Sequence, residues 1–560
     1  MRHDRTSADA APVSLARRLK SLRRGVQRAL TRIRLTATSR AIRLEPLARA
    51  CGSSPPLDVV LLADGDRGGS TRAAEESLTR QVLPVGPIRL VHRSPSLPLL
   101  EGVRHALARG AAPLVAIGDA AAAWEDDAAL WIAMLAGRHP AAKAIYADHV
   151  EAGRPVCKPD FSWTYLLARD FVGPVVVYDR GLVVAAVEAI LAAGRQPATP
   201  AAAAYAIALE ALGGRRPGEI VHARHPLWHA ARAEPPPTGL AEEAAAVLAR
   251  RGVEARVSCR DDDPRLHDVR LSPAAAALVS IVIPTKNASD LVEKCIADLR
   301  ATAACTPHEI VVIDHESDEP RLAAYLGAES AAGRLRVFPY RGPFNYAAMN
   351  NAAVRQVRGE LVLLLNNDVD GFAPGWLDQM VATFELDPAI AAVGGLLLYP
   401  DGAIQHAGVI LTPKRPCVAA HSGLPGDAPG YEGRVRSLQE FSAVTAACML
   451  VRRTAFEQVG GFDEIFPDDY NDIDLCLRLR QAGFKIVYNP LVRASHWESK
   501  SRRPKETGKD LYRSRWRDAI AADPFYSPHL SPTEFRPDDL APLWRERKRV
   551  ALRAAVRAAR

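Results

Sequence analysis

Three things are missing from this 560-residue sequence, and each absence removes a class of protein. No apolar run approaches the ~20 residues that a membrane-spanning helix needs; the longest, such as Leu361 to Leu365 and Ile390 to Leu398, are strand-sized. Eight cysteines (51, 157, 259, 295, 305, 417, 448 and 476) form no CxxC pair and no zinc-type spacing. That excludes a disulfide framework or structural zinc and leaves them as reduced core residues. No GxGxxG or P-loop follows an apolar run, which argues against a dinucleotide-dependent dehydrogenase. The basic N-terminus has no apolar stretch leading to a small-residue cleavage site, so the expected location is the cytoplasm.

What is present is the mixture of a globular protein, 48% apolar and 24% charged, long enough for two to four folding units at roughly 150 residues each. The net charge of +8 is modest but uneven, because Ala10 to Leu44 is rich in arginine and contains no acid. There Leu15, Leu19, Leu22, Val26, Leu30 and Ile33 recur at steps of three and four, an apolar stripe down a basic helix. Such a helix either lies on an anionic membrane surface, peripheral at the inner membrane face, or docks on its own protein. Nucleic acid is not an expected partner, since the segment has no interleaved aromatics and the chain has no nucleic-acid fold motif. Trp544 to Arg560 is similarly basic and helical in pattern.

Between the basic ends the pattern alternates strand and helix twice, which implies parallel α/β sheets. The expected units are a basic N-terminal segment (1–55), a first α/β domain (56–235), a linker (236–277), a second α/β domain (278–505) and a basic helical tail (506–560). In the second domain, Leu278 to Ile283, His308 to Ile313, Leu335 to Phe338, Leu361 to Leu365 and Ala391 to Leu398 read as strands. Both domains place aspartates at strand ends, the mark of a diverged duplication whose first copy lacks an opening strand and helix. In the linker, one helix is expected at Leu240 to Arg251 and a solvent-exposed charge run at Arg260 to Arg265.

Ligands of open parallel sheets bind at the carboxyl ends of the strands. In the second domain these ends carry Pro284-Thr285-Lys286-Asn287, Asp314-His315-Glu316-Ser317 and Asn366-Asn367-Asp368-Val369-Asp370. Asp368 and Asp370 emerge directly behind a wholly apolar strand. Two hard carboxylates at a cleft mouth suit Mg²⁺ or Mn²⁺ with sites left for phosphate oxygens; a pair of surface turn residues is the alternative. Asp472 falls in the first turn of a helix that closes near Gly483. The helix dipole keeps a carboxylate there ionised, so a base at this point needs help from burial; simple N-capping by Asn471 or Asp472 is the plainer reading. His496 follows the apolar stretch Ile486 to Val492, and beside a carboxylate site it suits a further metal ligand.

Nine ordered segments then resemble glycosyltransferase family 2, in its O-antigen and rhamnosyltransferase-like bacterial branch. They are VSIVIPTKN (279–287), VVIDHES (311–317), FNYAAMNNAAV (344–354), GELVLLLNNDVD (359–370), VGGLLLYPDGAIQHAGVIL (393–411), TAACMLVRR (445–453), GGFDE (460–464), NDIDLCLRLRQAGF (471–484) and HWESKSR (496–502). The resemblance implies a GT-A fold, Rossmann-like with a mostly parallel sheet, preceded by a degenerate GT-A-like domain. It implies that Pro284, Thr285 and Asp314 hold the nucleotide, with Asn345, Asn350, Asn367 and Asp368 at the donor. Asp368, Asp370 and His496 would bind Mn²⁺ or Mg²⁺. Asp472 would take the proton from an acceptor hydroxyl, in a single displacement that inverts the anomeric carbon.

By the same resemblance the donor is dTDP-rhamnose or a UDP-sugar. The acceptor is a glycan or lipid-linked glycan of bacterial surface polysaccharide. Two departures stand out: Asn471 where Glu is frequent, and His315-Glu316 where Asn and Gly are usual. The first domain resembles the family through IYADHVEAGRPVCKPDFSWTYLLARDFVG (145–173), yet it reads as having no counterpart of the acid-bearing helix or of His496. A non-catalytic nucleotide- or glycan-binding module of the same fold is the alternative to an enzyme.

Overall fold

A computed structural model of the chain describes residues 42–50, 57–64, 68–94, 96–230, 236–274, 277–303, 306–497, 508–531 and 544–558. The expected basic helix over Leu15 to Ile33 lies outside the described residues. Among those described, no helix is long and apolar enough to cross a membrane.

The apolar runs of the first α/β unit become β1 (Leu57–Ala63), β2 (Ile88–His92), β3 (Leu114–Asp119), β4 (Ala123–Trp124), β5 (Ala144–Glu151), β6 (Arg154–Val156), β7 (Val175–Asp179) and β8 (Ile220–Ala230). Helix α1 (Pro200–Leu212) leads toward β8, its start fixed by Thr199, whose hydroxyl accepts from Ala202 N–H at 3.1 Å. β1 is buried along its whole length, which is why its sequence shows no polar alternation.

The stretch expected to be a linker is built into the fold. It holds α2 (Leu240–Arg250) and then an antiparallel hairpin, β9 (Ala255–Cys259) and β10 (His267–Leu271). The charged turn between them is held by its own pairs, Arg260 donating to Asp262 and Asp268 at 3.0 and 2.7 Å.

The second unit contains β11 (Val279–Thr285), α3 (Ser289–Thr302), β12 (His308–His315), β13 (Arg336–Tyr340), α4 (Tyr346–Val354), β14 (Leu361–Leu365) and β15 (Val369–Asp370). It continues with β16 (Ile390–Leu398), β17 (Ile404–His406), a small β18–β19 pair (Val409–Ile410 with Val418–Ala419), β20 (Gln439–Glu440), β21 (Cys448–Arg452), α5 (Asn471–Gln481) and β22 (Lys485–His496). One buried apolar cluster runs through both units, from Val60 to Ala494. Of the six described cysteines, none in a disulfide, Cys157, Cys295, Cys448 and Cys476 are buried, whereas Cys259 on the hairpin is exposed.

The two sheets share one topology. The first runs β2-β1-β3-β7-β5-β8-β4 with β6 on β5; the second, once its outer strand β13 is set aside, runs β12-β11-β14-β21-β16-β22-β15 with β17 on β16. Every pair has the same sense in both. β1 is parallel to β2 and β3 as β11 is to β12 and β14, and β7 is antiparallel to β3 and β5 as β21 is to β14 and β16. The first copy therefore has its opening strand, and what it lacks among the described residues is an equivalent of β13 at the sheet edge and of β20 beside β22.

The C-terminal part is packed rather than trailing. Tyr512 and Trp516 are buried against the second unit, where Trp516 Nε1 donates to Asp474 Oδ1 at 2.9 Å. Helix α6 (Trp544–Ala558) returns to the first unit and buries Lys548 and Leu552 there.

Candidate active site

The carboxyl ends of β11, β12 and β14 meet at one edge of the second sheet, as parallel pairing requires. Thr285 stands opposite Asp314 in the β11–β12 register, and Pro284 opposite Ile313. Asn367 Nδ2, just beyond β14, donates to Thr285 Oγ1 at 2.9 Å. Asp314 Oδ1 accepts from the Ser317 backbone N–H at 3.2 Å, which curls the following loop back over the strand end. The residues expected to hold a nucleotide are thus joined to the loop that carries the carboxylates.

Beyond β14 the chain turns into β15, a two-residue strand paired antiparallel with the end of β22, Val369 opposite His496 and Asp370 opposite Ser495. That pairing brings Asp368 Oδ1 within 3.1 Å of His496 Nε2. Asp368 is 7% exposed, and its Oδ1 is buried without a hydrogen-bond partner. On the far side of the ring, Nδ1–H donates to Gln405 Oε1 at 2.6 Å. With the proton on Nδ1, Nε2 presents a lone pair, which accepts from Asn366 Nδ2 at 3.3 Å.

Two acceptors facing each other at 3.1 Å repel unless a proton or a metal cation lies between them. The separation equals that of adjacent ligand atoms around an octahedral ion with bonds of about 2.1 Å, roughly 3 Å. An orphaned carboxylate oxygen beside an imidazole lone pair fits Mn²⁺ or Mg²⁺.

Asp370 does not join this pair. Its Oδ2 accepts from Trp497 Nε1 at 2.9 Å and lies 2.6 Å from Lys294 Nζ of α3, whose ammonium sits 4.4 Å from the centre of the Trp497 ring. Among the described residues, no three His, Cys, Asp or Glu side chains converge on one point. Two of the three expected ligands are together, and the third is engaged by a lysine that the sequence reading did not single out.

Asp472 lies in the first turn of α5, preceded by Tyr470 at a φ of 67°. Its Oδ2 accepts from Ala446 N–H at 3.1 Å and its Oδ1 from Ile473 N–H at 2.8 Å. Burial raises its carboxyl above the ordinary range, outweighing these bonds and one from the Thr445 hydroxyl. A base at a helix start needs this balance. Two residues further on, Asp474 is structural: fully buried, it is paired with Arg478 at 2.7 Å and Arg515 at 2.9 Å.

Asn345 caps α4, its side-chain oxygen accepting from Ala348 N–H at 3.0 Å while Nδ2 donates to Glu464 O at 2.9 Å. Asn350 is wholly buried within α4. Its Nδ2 donates to Tyr346 O at 2.8 Å, and its Oδ1 has no partner. Sequence reasoning missed Lys294, Gln405, His406 and Trp497. Only the last three had a signal, being inside or beside segments already noted.

The first sheet repeats the frame of this site with different chemistry. Its β4 pairs with β8 so that Ala123 faces His229, the register that Val369 and His496 hold in the second sheet. A histidine counterpart therefore exists, contrary to the expectation that the first unit has none. The residue matching Asp368 is Ala122, and α1 opens with Pro200 and four alanines where α5 has Asp472. His229 Nε2 lies 2.6 Å from Glu125 Oε1, and α6 fills the space between the acids: Lys548 Nζ contacts Glu125 at 3.2 Å and Asp127 at 2.5 Å, with Arg545 on Glu125 at 3.0 Å. Burial opposes ionisation of Glu125, but His229, Lys548 and Arg545 together hold its carboxyl well below the ordinary range.

A mixed, mostly parallel sheet with polar loops and an acid pair at the carboxyl edge defines a GT-A-like α/β fold. Residues 280–460 match the family described as Glycosyl transferase family 2, and through this stretch the chain is similar to that family. The matched span includes Asp368 and Asp370 and stops before Asp472 and His496.

The chain is 33% identical over 453 residues to an uncharacterized protein, y4gI, of Sinorhizobium fredii (strain NBRC 101917 / NGR234), covering 76% of this chain and 49% of that one. It is 34% identical over 297 residues to the O-antigen biosynthesis protein RfbC of Myxococcus xanthus, covering 51% of this chain and 23% of that protein. Over 260 residues it is 26% identical to the N-acetylglucosaminyl-diphospho-decaprenol L-rhamnosyltransferase of Mycobacterium tuberculosis (strain ATCC 25618 / H37Rv), covering 42% of this chain and 78% of that enzyme. The chain thus spans half or less of the length of the first two relatives.

Proposed function

We propose that the second unit is an inverting glycosyltransferase that moves a sugar from a nucleoside-diphosphate donor to a glycan or lipid-linked acceptor. The observation that carries this reading is the Asp368–His496 pair, 3.1 Å apart with an orphaned carboxylate oxygen, at the same sheet edge as Thr285 and Asp314. Asp368 and His496 would hold a divalent cation, which when bound would supply positive charge to a departing diphosphate. Thr285 and Asp314 seat the nucleoside, and Asn367 ties that seat to the carboxylate loop. Asp472 accepts the proton of the acceptor hydroxyl as its oxygen attacks the anomeric carbon from the face opposite the diphosphate, which inverts that carbon.

The first unit, with alanine in the acid's place and a lysine among its own carboxylates, is a non-catalytic copy. The rhamnosyl-transfer and O-antigen names of two relatives support dTDP-rhamnose as the first donor to try and a UDP-sugar as the second. They also support surface polysaccharide as the context. Release of nucleoside diphosphate from a panel of nucleotide sugars, with Mn²⁺ or Mg²⁺ and glycan acceptors, tests the reading. Metal-dependent release that disappears in Asp368→Ala supports it, and no release from any donor by the folded protein counts against it.

A further inference from the structure

The site depends on two side chains that neither touch a substrate nor belong to the expected site, and both come from one three-residue strand. β17 pairs antiparallel with β16, with a register shift between its two ends, so Gln405 falls at the irregularity. Successive strand residues point to opposite faces, and here the two faces serve different halves of the site. Gln405 Oε1 accepts from His496 Nδ1–H at 2.6 Å. This bond fixes which nitrogen carries the proton and leaves Nε2 aimed at Asp368. His406 is 4% exposed; its Nδ1–H donates to Gly395 O on β16 at 3.0 Å, which makes Nε2 an acceptor for Thr445 N–H at 3.2 Å. Thr445 and Ala446 in turn supply the hydroxyl and N–H that hold Asp472. Burial lowers His406 to about 4, so the ring stays neutral and keeps that acceptor at working pH.

We infer that β17 is a positioning element for both halves of the active site: Gln405 orients His496 for the cation, and His406 orients the Thr445–Ala446 turn that aims Asp472. The inference rests on the proposed roles of Asp368, His496 and Asp472. Groups that orient a metal-bound histidine through its second nitrogen typically change metal affinity about 10- to 100-fold when removed. The two residues should therefore fail in different ways, which a general loss of folding would not produce.

The test uses the full chain and reads Mn²⁺ binding by electron paramagnetic resonance, without donor, alongside steady-state kinetics. Gln405→Leu should weaken Mn²⁺ binding by about 10- to 100-fold, and Gln405→Glu, which keeps an acceptor oxygen, should restore most of it. His406→Leu should leave Mn²⁺ affinity and donor KM near wild type while kcat falls about tenfold or more and the acid limb of its pH profile moves; the loss of an aimed base sets that scale. His406→Gln, with an acceptor near the position of Nε2, should recover kcat. Unchanged Mn²⁺ affinity in Gln405→Leu, or equal losses of affinity and kcat in both leucine variants, overturns the inference. If the wild-type chain itself binds no Mn²⁺, or Asp368→Ala binds it equally well, the reading of the site fails first and takes the inference with it.

Discussion

Replacing Asp472 by asparagine separates chemistry from folding, because the structure sets the two effects against each other. Two backbone N–H groups, of Ala446 and Ile473, approach different carboxylate oxygens. Asparagine offers only one acceptor oxygen, so one donor is left unpaired at a cost of about 1–3 kcal/mol. Against this, burial raises the carboxyl in the folded protein, so ionisation itself works against the fold. The sign follows from that shift. Stability contributed by the protonated form is full below the unfolded value near 3.9 and is lost as pH rises through the higher folded value. At pH 7 the wild type carries that loss and the neutral asparagine does not, so the two terms act on the melting temperature in opposite directions.

As the pH falls toward 4 the wild-type carboxyl is protonated too, and any advantage of the variant should vanish. Turnover has no such offset. Loss of a general base costs about 10² to 10⁴-fold, or roughly 2.7–5.4 kcal/mol of transition-state stabilisation. The assay is nucleoside-diphosphate release with acceptor, paired with thermal melts between pH 4 and 8. Turnover within tenfold of wild type would refute the base assignment. A collapse of the melt that accounts for the lost rate would make Asp472 a structural residue.

Three further outcomes are expected. Asp370→Asn should weaken Mn²⁺ binding far less than Asp368→Ala in calorimetric titration, because Asp370 already serves Lys294 and Trp497; equal losses would return it to the metal. Lys548→Met should destabilise the first unit by about 3–5 kcal/mol in urea unfolding, since it leaves the buried Asp127 without its lysine counter-charge. Glu125, held low in the fold, contributes stability above its unfolded value near 4.3 that is lost as pH falls toward its folded one, so the gap between Lys548→Met and wild type should narrow in acid. Gly408→Ala should cost at least about 1–3 kcal/mol in the same assay. Its φ is +90° and a Cβ would stand 2.3 Å from the Phe441 ring.

The second sheet was legible in the sequence because buried parallel strands are written as unbroken apolar runs. Val279–Thr285 and Leu361–Leu365 fall within two residues of where the pattern puts them. The polar loops behind those runs marked the site edge for the same reason. The hairpin of β9 and β10 was hidden, since its turn carries charges that bond to one another rather than to water. His229 was equally hidden: its likeness to His496 lies in which residue it faces across β4, and pairing register leaves no trace in linear spacing. Asp370 reads as a metal ligand until Lys294 and Trp497 are seen on either side of it, one from a helix and one beyond a strand end. The divided labour of Gln405 and His406 depends on a two-sided strand, and adjacent letters do not reveal opposite faces.

Lys548 lies 423 residues downstream of the Glu125 it neutralises. During synthesis the first unit therefore emerges with its acid cluster uncompensated and must wait for most of the remaining chain before that charge is balanced. Closing so long a loop is slow compared with forming the local helices and hairpins of either unit. The second unit, whose own acid site draws on β14, β17 and β22, can mature in the interval. The lysine is a late clasp in the sense that its contacts can close only after the residues of the whole second sheet have been made.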